Sequence, residues 1–306
     1  MARKSILFVC TGNVFRSVTV EQCFKKYLSD NGIKDWTVGS AGTLAPEESI
    51  HSKVLETLRE FGISDFEHQQ KKLTLEMLET HDAIVCMAEN HLEFMRSEFR
   101  YKHALLFNDL ALGEQTSIWD VEDDVPDYAT NPKAVEKKLE HTVREIHDKI
   151  PKLFKNASER FYLFSDFVDG KITHRNGYPF ITLYETPNSI AFMSIDIPYK
   201  EDGHILVIPK KRYFDLSLIP DDILGEILVA IKRVGRAVGA EHGGYNVLLN
   251  NGLDAGQYIF HTHFHIIPRR HGDDIKIEGW KRHDISREDF IRLNDKLKQQ
   301  IDLTLT

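Results

Sequence analysis

Two domains of different fold class are predicted: an α/β domain with a parallel sheet flanked by helices, then an α+β domain with an antiparallel sheet. Three observations lead there. The chain has 306 residues, more than one ordinary domain needs. In its first half short apolar runs alternate with segments of helical period, which is the pattern of a parallel sheet. After about residue 155 strand-like runs follow one another with one clear helix among them, which is the pattern of an antiparallel sheet.

The elements follow in order. Ser5–Val9 reads as a short buried strand, and after a loop the helix 17–30 carries Val20, Cys23, Phe24 and Leu28 on one face. Trp36–Val38 reads as a second strand ending at the turn-rich Gly39-Ser40-Ala41-Gly42. A helix is predicted over 50–62, ending at Gly62 as its left-handed cap. Asp82–Met87 is a third strand with a helix after it, and Ala104–Phe107 a fourth. A long helix starts at Pro132, with Val135, Leu139, Val143, Ile146 and Ile150 in register. The polar stretch 151–161 reads as a loop between domains, so domain limits of 1–155 and 160–306 are expected, the second with a C-terminal extension. Strands are then predicted at Ile181–Glu185, Ile190–Met193, His204–Pro209, Tyr245–Asn250 and Tyr258–Pro268, with a helix at Asp221–Val238.

Composition narrows the function. Hydrophobic residues make up 42% and charged residues 28%, as in ordinary folded proteins. No apolar run approaches the roughly 20 residues that cross a bilayer, so no membrane partner is expected. The basic start MARK is followed by only a short apolar stretch, so a secretory leader is not expected. Three cysteines, Cys10, Cys23 and Cys86, make no disulfide framework and point to the reducing cytoplasm. A formal charge of −8 argues against nucleic acid as a partner.

The first chemistry is Val-Cys10-Thr-Gly12-Asn13-Val-Phe-Arg16-Ser17. A loop between a strand and a helix N-terminus points backbone N–H groups inward and cradles an anion. Gly12 allows the close turn and Asn13 tolerates a left-handed backbone. A thiol in that cradle is favoured as the thiolate, which makes Cys10 a candidate nucleophile. Arg16 is placed to bind two oxygens of a phosphate, and Ser17 to hydrogen-bond the sulfur. The bland alternative is that Cys10 is a buried strand-end cysteine.

This loop resembles that of the low-molecular-weight protein tyrosine phosphatases and the related arsenate reductases. The resemblance spans about residues 4–152 and includes Ser40-Ala41-Gly42-Thr43 and the acidic segment DDVPDY, 123–128. It implies a cysteinyl-phosphate route, with phosphorylated protein or a small phosphomonoester as substrate. It also implies that Asp127 donates the proton to the leaving oxygen and then activates water. The proline that relatives carry after that aspartate is missing, and Asp124, with Asp123 behind it, is the alternative. Phe15 stands where many relatives have a second, protecting cysteine. The segment LAPEESIH lacks the aromatic residue common in phosphotyrosine pockets. Arsenate reduction would need two more cysteines on a mobile segment after the third strand, and none follows Cys86.

The second chemistry is QYIFHTHFHIIPRR, 257–270. On a strand, His261, His263 and His265 would leave one face while Thr262, Phe264 and Ile266 occupy the other. Packing, a metal site and a nucleophilic imidazole compete here. The metal reading is weak, because this half has no cysteine and no carboxylate at ligand spacing. A nucleophilic His263 would need its other ring nitrogen to donate to something rigid, such as a backbone carbonyl.

This region resembles the histidine triad family over roughly 160–272, through His261-x-His263-x-His265, Gly203-His204-Ile-Leu-Val-Ile-Pro209, Asn250-Asn-Gly252 and Gly256-Gln257. The resemblance implies that His263 is the nucleophile, with His261 and His265 in support. It assigns Asn250 and Gly256 to phosphate, Asp196 to the ribose hydroxyls, and Gln257 to the site's pattern. Tyr258 replaces a small hydroxyl residue and would narrow the phosphate side. It further implies nucleotide substrates such as dinucleoside polyphosphates or nucleoside phosphoramidates, and a homodimer through this domain. No metal and no organic cofactor is expected in either half. The favoured reading is thus a bifunctional hydrolase. The alternative is a phosphatase regulated by a non-catalytic nucleotide-binding domain, with an arsenate reductase-like first domain behind both.

Overall fold

The computed structural model describes residues 4–64, 66–197, 203–277, 279 and 283–303; the first residues of the basic start lie outside these. Residues 1–268 form one compact unit and 269–306 another.

The first sheet is built on β1 (Lys4–Cys10), whose five last residues are buried on both sides as a central parallel strand requires. The strand order is β2 (Trp36–Gly42), β1, β3 (Ala83–Cys86), β4 (Ala104–Leu106), all parallel. Between them run α1 (Arg16–Asp30), α2 (Ser52–Glu60), α3 (Leu75–Thr80) and α4 (Glu89–Phe99), and α5 (Phe107–Leu112) and α6 (Val121–Asp124) follow β4. Gly62 adopts φ +74 just beyond α2, the left-handed turn expected of it. The loop after β1 therefore sits at the carboxyl end of the sheet, where open α/β sheets bind ligands.

α7 (Pro132–Val168) opens with Pro132 at its first turn and Asn131 capping Ala134 N–H, then runs for 37 residues. This corrects the expected loop at 151–161, which is helical. Pro151 removes one donor, but the buried stripe Leu139, Val143, Ile146, Ile150, Leu153, Ala157 and Phe161 continues unbroken past it. Phe161 and Tyr162 lie in the core of the first sheet, whereas Leu163 and Phe164 lie in a core of the second. One helix thus serves both halves.

The second half begins with a two-stranded hairpin, β5 (His174–Arg175) and β6 (Tyr178–Pro179), turned by Asn176 and Gly177 at φ 50 and φ 83. A five-stranded sheet follows: β7 (Thr182–Glu185), β8 (Ser189–Met193), β9 (Ile205–Pro209), β10 (Gly244–Leu249) and β11 (Phe264–Arg269), in the order β10-β11-β9-β8-β7. The pairs β7–β8, β8–β9 and β9–β11 are antiparallel. α8 (Asp221–Gly239) covers one face, against Val207, Phe264 and Ile266. The end of α7 covers the other, against Phe192, Leu206 and Ile208. In residues 269–306, α9 (Arg287–Asp302) is capped by the Ser286 hydroxyl, which accepts from Asp289 N–H.

The strand expected over Tyr258–Pro268 begins only at Phe264. Continuing the register of Phe264 opposite Val207 would set residue 262 opposite Pro209, which has no N–H to give. The Thr262 carbonyl would lack that donor, the Pro209 carbonyl is taken by His261 Nε2–H at 2.7 Å, and Thr262 N–H donates to the Tyr213 carbonyl at 2.8 Å.

Phe260 is fully buried in the core of the first sheet, although it belongs to the second half's histidine segment. Phe260→Ala will therefore cost about 3–5 kcal/mol of unfolding free energy, read by urea unfolding of the whole chain. A loss below about 1 kcal/mol would show that the two halves do not share this core.

Candidate active sites

The first site is a loop closed on its own sulfur. Asn13 takes φ 56, the left-handed conformation that asparagine tolerates, and its N–H points at Cys10 Sγ at 3.3 Å. Ser17 Oγ lies 3.0 Å from the same sulfur. The Asn13 side chain is spent within the protein: Nδ2 donates to Ser17 Oγ at 3.0 Å and Ser40 Oγ at 2.7 Å, and Oδ1 accepts from Lys71 N–H at 2.9 Å. Asn13 thus holds the loop through its side chain and offers the site its backbone. At the head of α1, Phe15 provides no side-chain cap, so the first N–H groups of the helix face the loop unclaimed by a side chain.

Arg16 is 1% exposed. Its Nη1 donates to the Ile118 carbonyl at 2.9 Å, and its Nη2 donates to Thr11 Oγ1 at 3.3 Å and to the Asp120 carboxylate. Its Nε is buried and finds no partner among the described residues. Asp120 is the carboxylate brought to the arginine, and it was not anticipated. Asp123 Oδ2 accepts from Asp120 N–H at 3.2 Å, and Asp124 pairs with Lys138. Asp127 is exposed and accepts from Asn131 Nδ2 at 2.9 Å, with no hydrogen bond to the loop.

Further supports were also hidden from a local reading. His91 is buried, with Nδ1 accepting from Ala88 N–H at 3.0 Å and Nε2 3.0 Å from Thr11 Oγ1. Burial, then the charge of Arg16, pushes its pKa down to about 3. It is therefore neutral, and Nε2–H is the donor to Thr11. The irregular segment 66–73 braces the loop from outside, Gln70 Nε2 donating to the Gly12 carbonyl at 2.7 Å and His68 Nε2 lying 2.6 Å from the Asn13 carbonyl.

Cys23 and Cys86 do not join this site. Burial raises the Cys23 thiol to about 12, and burial, then nearby Cys10, raises Cys86. Cys86 also lies in the core on the other side of the sheet from Cys10.

Gly42 explains Ser40-Ala41-Gly42-Thr43. A Cβ there would lie 2.6 Å from the Thr11 carbonyl and 3.0 Å from Asn13 N. Gly42→Ala must push the loop away, at about 1–3 kcal/mol. A thermal melt should show that loss together with a fall in Cys10-dependent turnover; unchanged values for both would refute the contact's importance.

The second site keeps its row of rings although the strand starts late. His261 is fully buried; its Nε2–H donates to the Pro209 carbonyl at 2.7 Å and its Nδ1 has no partner among the described residues. His263 Nδ1–H donates to the His261 carbonyl at 2.8 Å, which leaves Nε2 with the lone pair. His265 stands 4.9 Å from His263 between ring centres. Its Nδ1 meets His204 Nε2 at 2.9 Å, and His204 Nδ1–H donates to the Asp196 carbonyl at 2.7 Å. That chain of donors sets each ring's tautomer.

His204, quoted in the motif without a role, is thus a fourth ring of the site. Burial is the first cause that lowers all four pKa values, to about 3 for His261 and His265. Phe164 of α7 packs edge-on against His261 and His263 at 5.9 and 5.5 Å.

The remaining expected residues divide. Asn250 follows β10, and Gly256, at φ +81, lies beside its Nδ2. Gln257 is 2% exposed and spends its amide on Gly252 N–H and on the Phe214 and Ile259 carbonyls, so it braces the loop. The Asp196 side chain is exposed, while its carbonyl orients His204. Tyr258 lies against the Arg160 guanidinium, 5.1 Å from its ring centre.

Comparison with known proteins agrees with both halves. A family profile described as low molecular weight phosphotyrosine protein phosphatase matches residues 5–161, and one described as HIT domain matches 177–272. Adenosine 5′-monophosphoramidase hnt1 of Schizosaccharomyces pombe is 37% identical over 139 residues, 45% of this chain and 97% of that enzyme. A low molecular weight protein tyrosine phosphatase from T. tengcongensis is 30% identical, with a TM-score of 0.42, covering 50% of this chain and 98% of that one. A HIT family member from Bacillus subtilis is 32% identical, with a TM-score of 0.40, covering 45% and 94%. No helix among the described residues is long and apolar enough to cross a membrane.

Proposed function

For a chain that belongs to the low molecular weight phosphotyrosine protein phosphatase family over residues 5–161 and carries a HIT domain over 177–272, we propose a bifunctional hydrolase acting at phosphorus. One observation carries the reading. Ser17 Oγ and Asn13 N–H converge on Cys10 Sγ, and His263 spends Nδ1–H on a backbone carbonyl, which leaves Nε2 with its lone pair; this supports these two atoms as the nucleophiles.

In the first half, Cys10 attacks the phosphorus of a phosphorylated protein or small phosphomonoester, forming a P–S bond as the P–O bond breaks. Arg16 holds two phosphate oxygens, with its unpartnered Nε–H as one donor, and the first N–H groups of α1, which no side chain caps, take the others. Ser17 stabilises the departing sulfur when water attacks. Asp127 carries the proton in this reading, with Asp124 as the alternative.

In the second half, His263 Nε2 attacks the α-phosphorus of a nucleotide substrate, forming a P–N bond as the bond to the amine or phosphate leaving group breaks and that group departs with a proton from water. A second water then attacks the same phosphorus, breaks the P–N bond to His263 and releases the nucleoside monophosphate. Adenosine phosphoramidates come first among the candidates, from the activity named for the S. pombe relative; dinucleoside polyphosphates come next. Asn250 and Gly256 face the phosphate, Asp196 the ribose, and His261 and His265 keep His263 in place.

The phosphatase unit is assigned to 1–155 and the nucleotide unit to 160–306, meeting inside α7. A homodimer through the second unit is supported by exposed Tyr245 and Val247 on the edge strand β10 and exposed Leu228 and Val229 on α8. Three free cysteines suit a cytoplasmic enzyme.

Trapping of covalent intermediates tests the proposal. Acid quenching after p-nitrophenyl phosphate should leave one phosphoryl group on the peptide that contains Cys10. Quenching after an adenosine phosphoramidate should leave one adenylyl group on the peptide that contains His263. Turnover without either adduct would overturn the corresponding half. If nucleotide binds without turnover and alters the phosphatase rate, the regulatory reading replaces the second half.

A further inference from the structure

The segment that carries His263 is not held by its own sheet. β11 begins at Phe264, and the backbone groups of 258–262 find their partners elsewhere. Phe260 N–H donates to the Arg160 carbonyl at 2.6 Å, and the Phe260 ring lies between Phe161 and Phe214, at 4.9 and 4.7 Å between centres.

Two arginines complete the grip. The Arg160 guanidinium covers the rings of Tyr258 and Phe260, at 5.1 and 4.9 Å, and its Nε donates to the Tyr258 carbonyl at 3.3 Å. Arg212 Nη1 reaches the Phe260 carbonyl at 3.5 Å and the Asp82 carbonyl at 3.3 Å.

Each cation is anchored by an aspartate of the phosphatase-like half. Arg160 Nη1 lies 3.3 Å from Asp109 Oδ1 on α5, and Arg212 Nη2 lies 2.5 Å from Asp82 Oδ1, just ahead of β3. Asp82 Oδ2 is tied further, to Ser5 N–H at 3.0 Å and Tyr162 OH at 3.1 Å, so that anchor is continuous with β1 and α7. Arg160 and Asp109 are 5% and 7% exposed, a desolvated pair in which neither charge is easily left alone.

The consequence runs to the reacting atom. His263 Nδ1–H is fixed on the His261 carbonyl, one residue from the clamped Phe260. A shift of the 258–261 backbone would therefore turn the imidazole and move Nε2 with it.

We infer that Arg160 and Arg212, anchored by Asp109 and Asp82, are positioning residues for His263, so that the phosphatase-like half builds part of the nucleotide site. This rests on His263 being the nucleophile proposed above. A guanidinium is required because each must contact a carboxylate and a backbone carbonyl at once, which the single ammonium of lysine does poorly.

The full-length chain tests this with Asp82→Asn, Asp109→Asn, Arg160→Lys and Arg212→Lys, assayed on an adenosine phosphoramidate and on p-nitrophenyl phosphate. The expected result is a fall in phosphoramidate kcat of roughly tenfold or more, with KM held within about two-fold. p-Nitrophenyl phosphate turnover, which reports an intact first half, stays unchanged. Phosphoramidate kcat within about two-fold of wild type in all four variants would overturn the positioning role while His263-dependent turnover persists. Parallel loss of both activities would overturn it too, as general destabilisation. Absence of any His263-dependent turnover in the wild type would remove the nucleophile reading and this inference with it.

Discussion

His263→Ala will lose phosphoramidate turnover by roughly 10⁴-fold or more while p-nitrophenyl phosphate turnover stays at the wild-type level. The loss is large because the nucleophile itself is removed, along with the ring whose Nε2 is left free by the bond from its Nδ1–H to the His261 carbonyl. The pH profile carries the same assignment. Attack needs neutral Nε2, and burial lowers the His263 pKa below the ordinary value of 6.5. Activity should therefore persist as pH falls through 6.5 and be lost only further down, once Nε2 binds a proton. Steady-state kinetics of the variant and a pH series of wild-type kcat/KM check both points. Retention of turnover within about tenfold in His263→Ala would sink the nucleophile.

Cys10→Ser will lose p-nitrophenyl phosphate turnover by a similar order, roughly 10⁴-fold, and keep phosphoramidate turnover. A serine hydroxyl fits the same turn but does not ionise near neutrality, so the Asn13 N–H and Ser17 Oγ contacts would hold a poor nucleophile. The geometry should survive, because Asn13 and Gly42 hold the loop independently of the sulfur. Unchanged melting behaviour with lost turnover is the expected pair of results. Appreciable phosphatase activity in Cys10→Ser would place the chemistry elsewhere.

Legibility followed range. The strand, loop and helix around Cys10 were readable because apolar period, glycine and helix start lie within a few residues of one another. Asp120 was not, since its pairing with Arg16 joins residues 104 apart through folds of the chain that no local pattern records. The brace from His68 and Gln70 was missed for a related reason: segment 66–73 is irregular and aperiodic, and only its position against Gly12 and Asn13 gives it a role. At 151–161 a proline and polar residues hid a helix whose buried stripe continues underneath them.

What the sequence by itself determined is the pair of fold classes, the order of most elements, and two short segments rich in nucleophiles and phosphate-binding residue types. Those depend on backbone preference and periodicity, which act over a few residues. Only the tertiary structure decided which ring nitrogen of His263 is free, which carboxylate meets Arg16, and where the histidine strand begins. Pro209 withholds an N–H across the sheet, so the 258–262 segment leaves the ladder and is taken up by Arg160, Arg212 and a core it shares with the first half. Such pairings exist only once distant parts of the chain are packed together, because each depends on a partner that local sequence does not name.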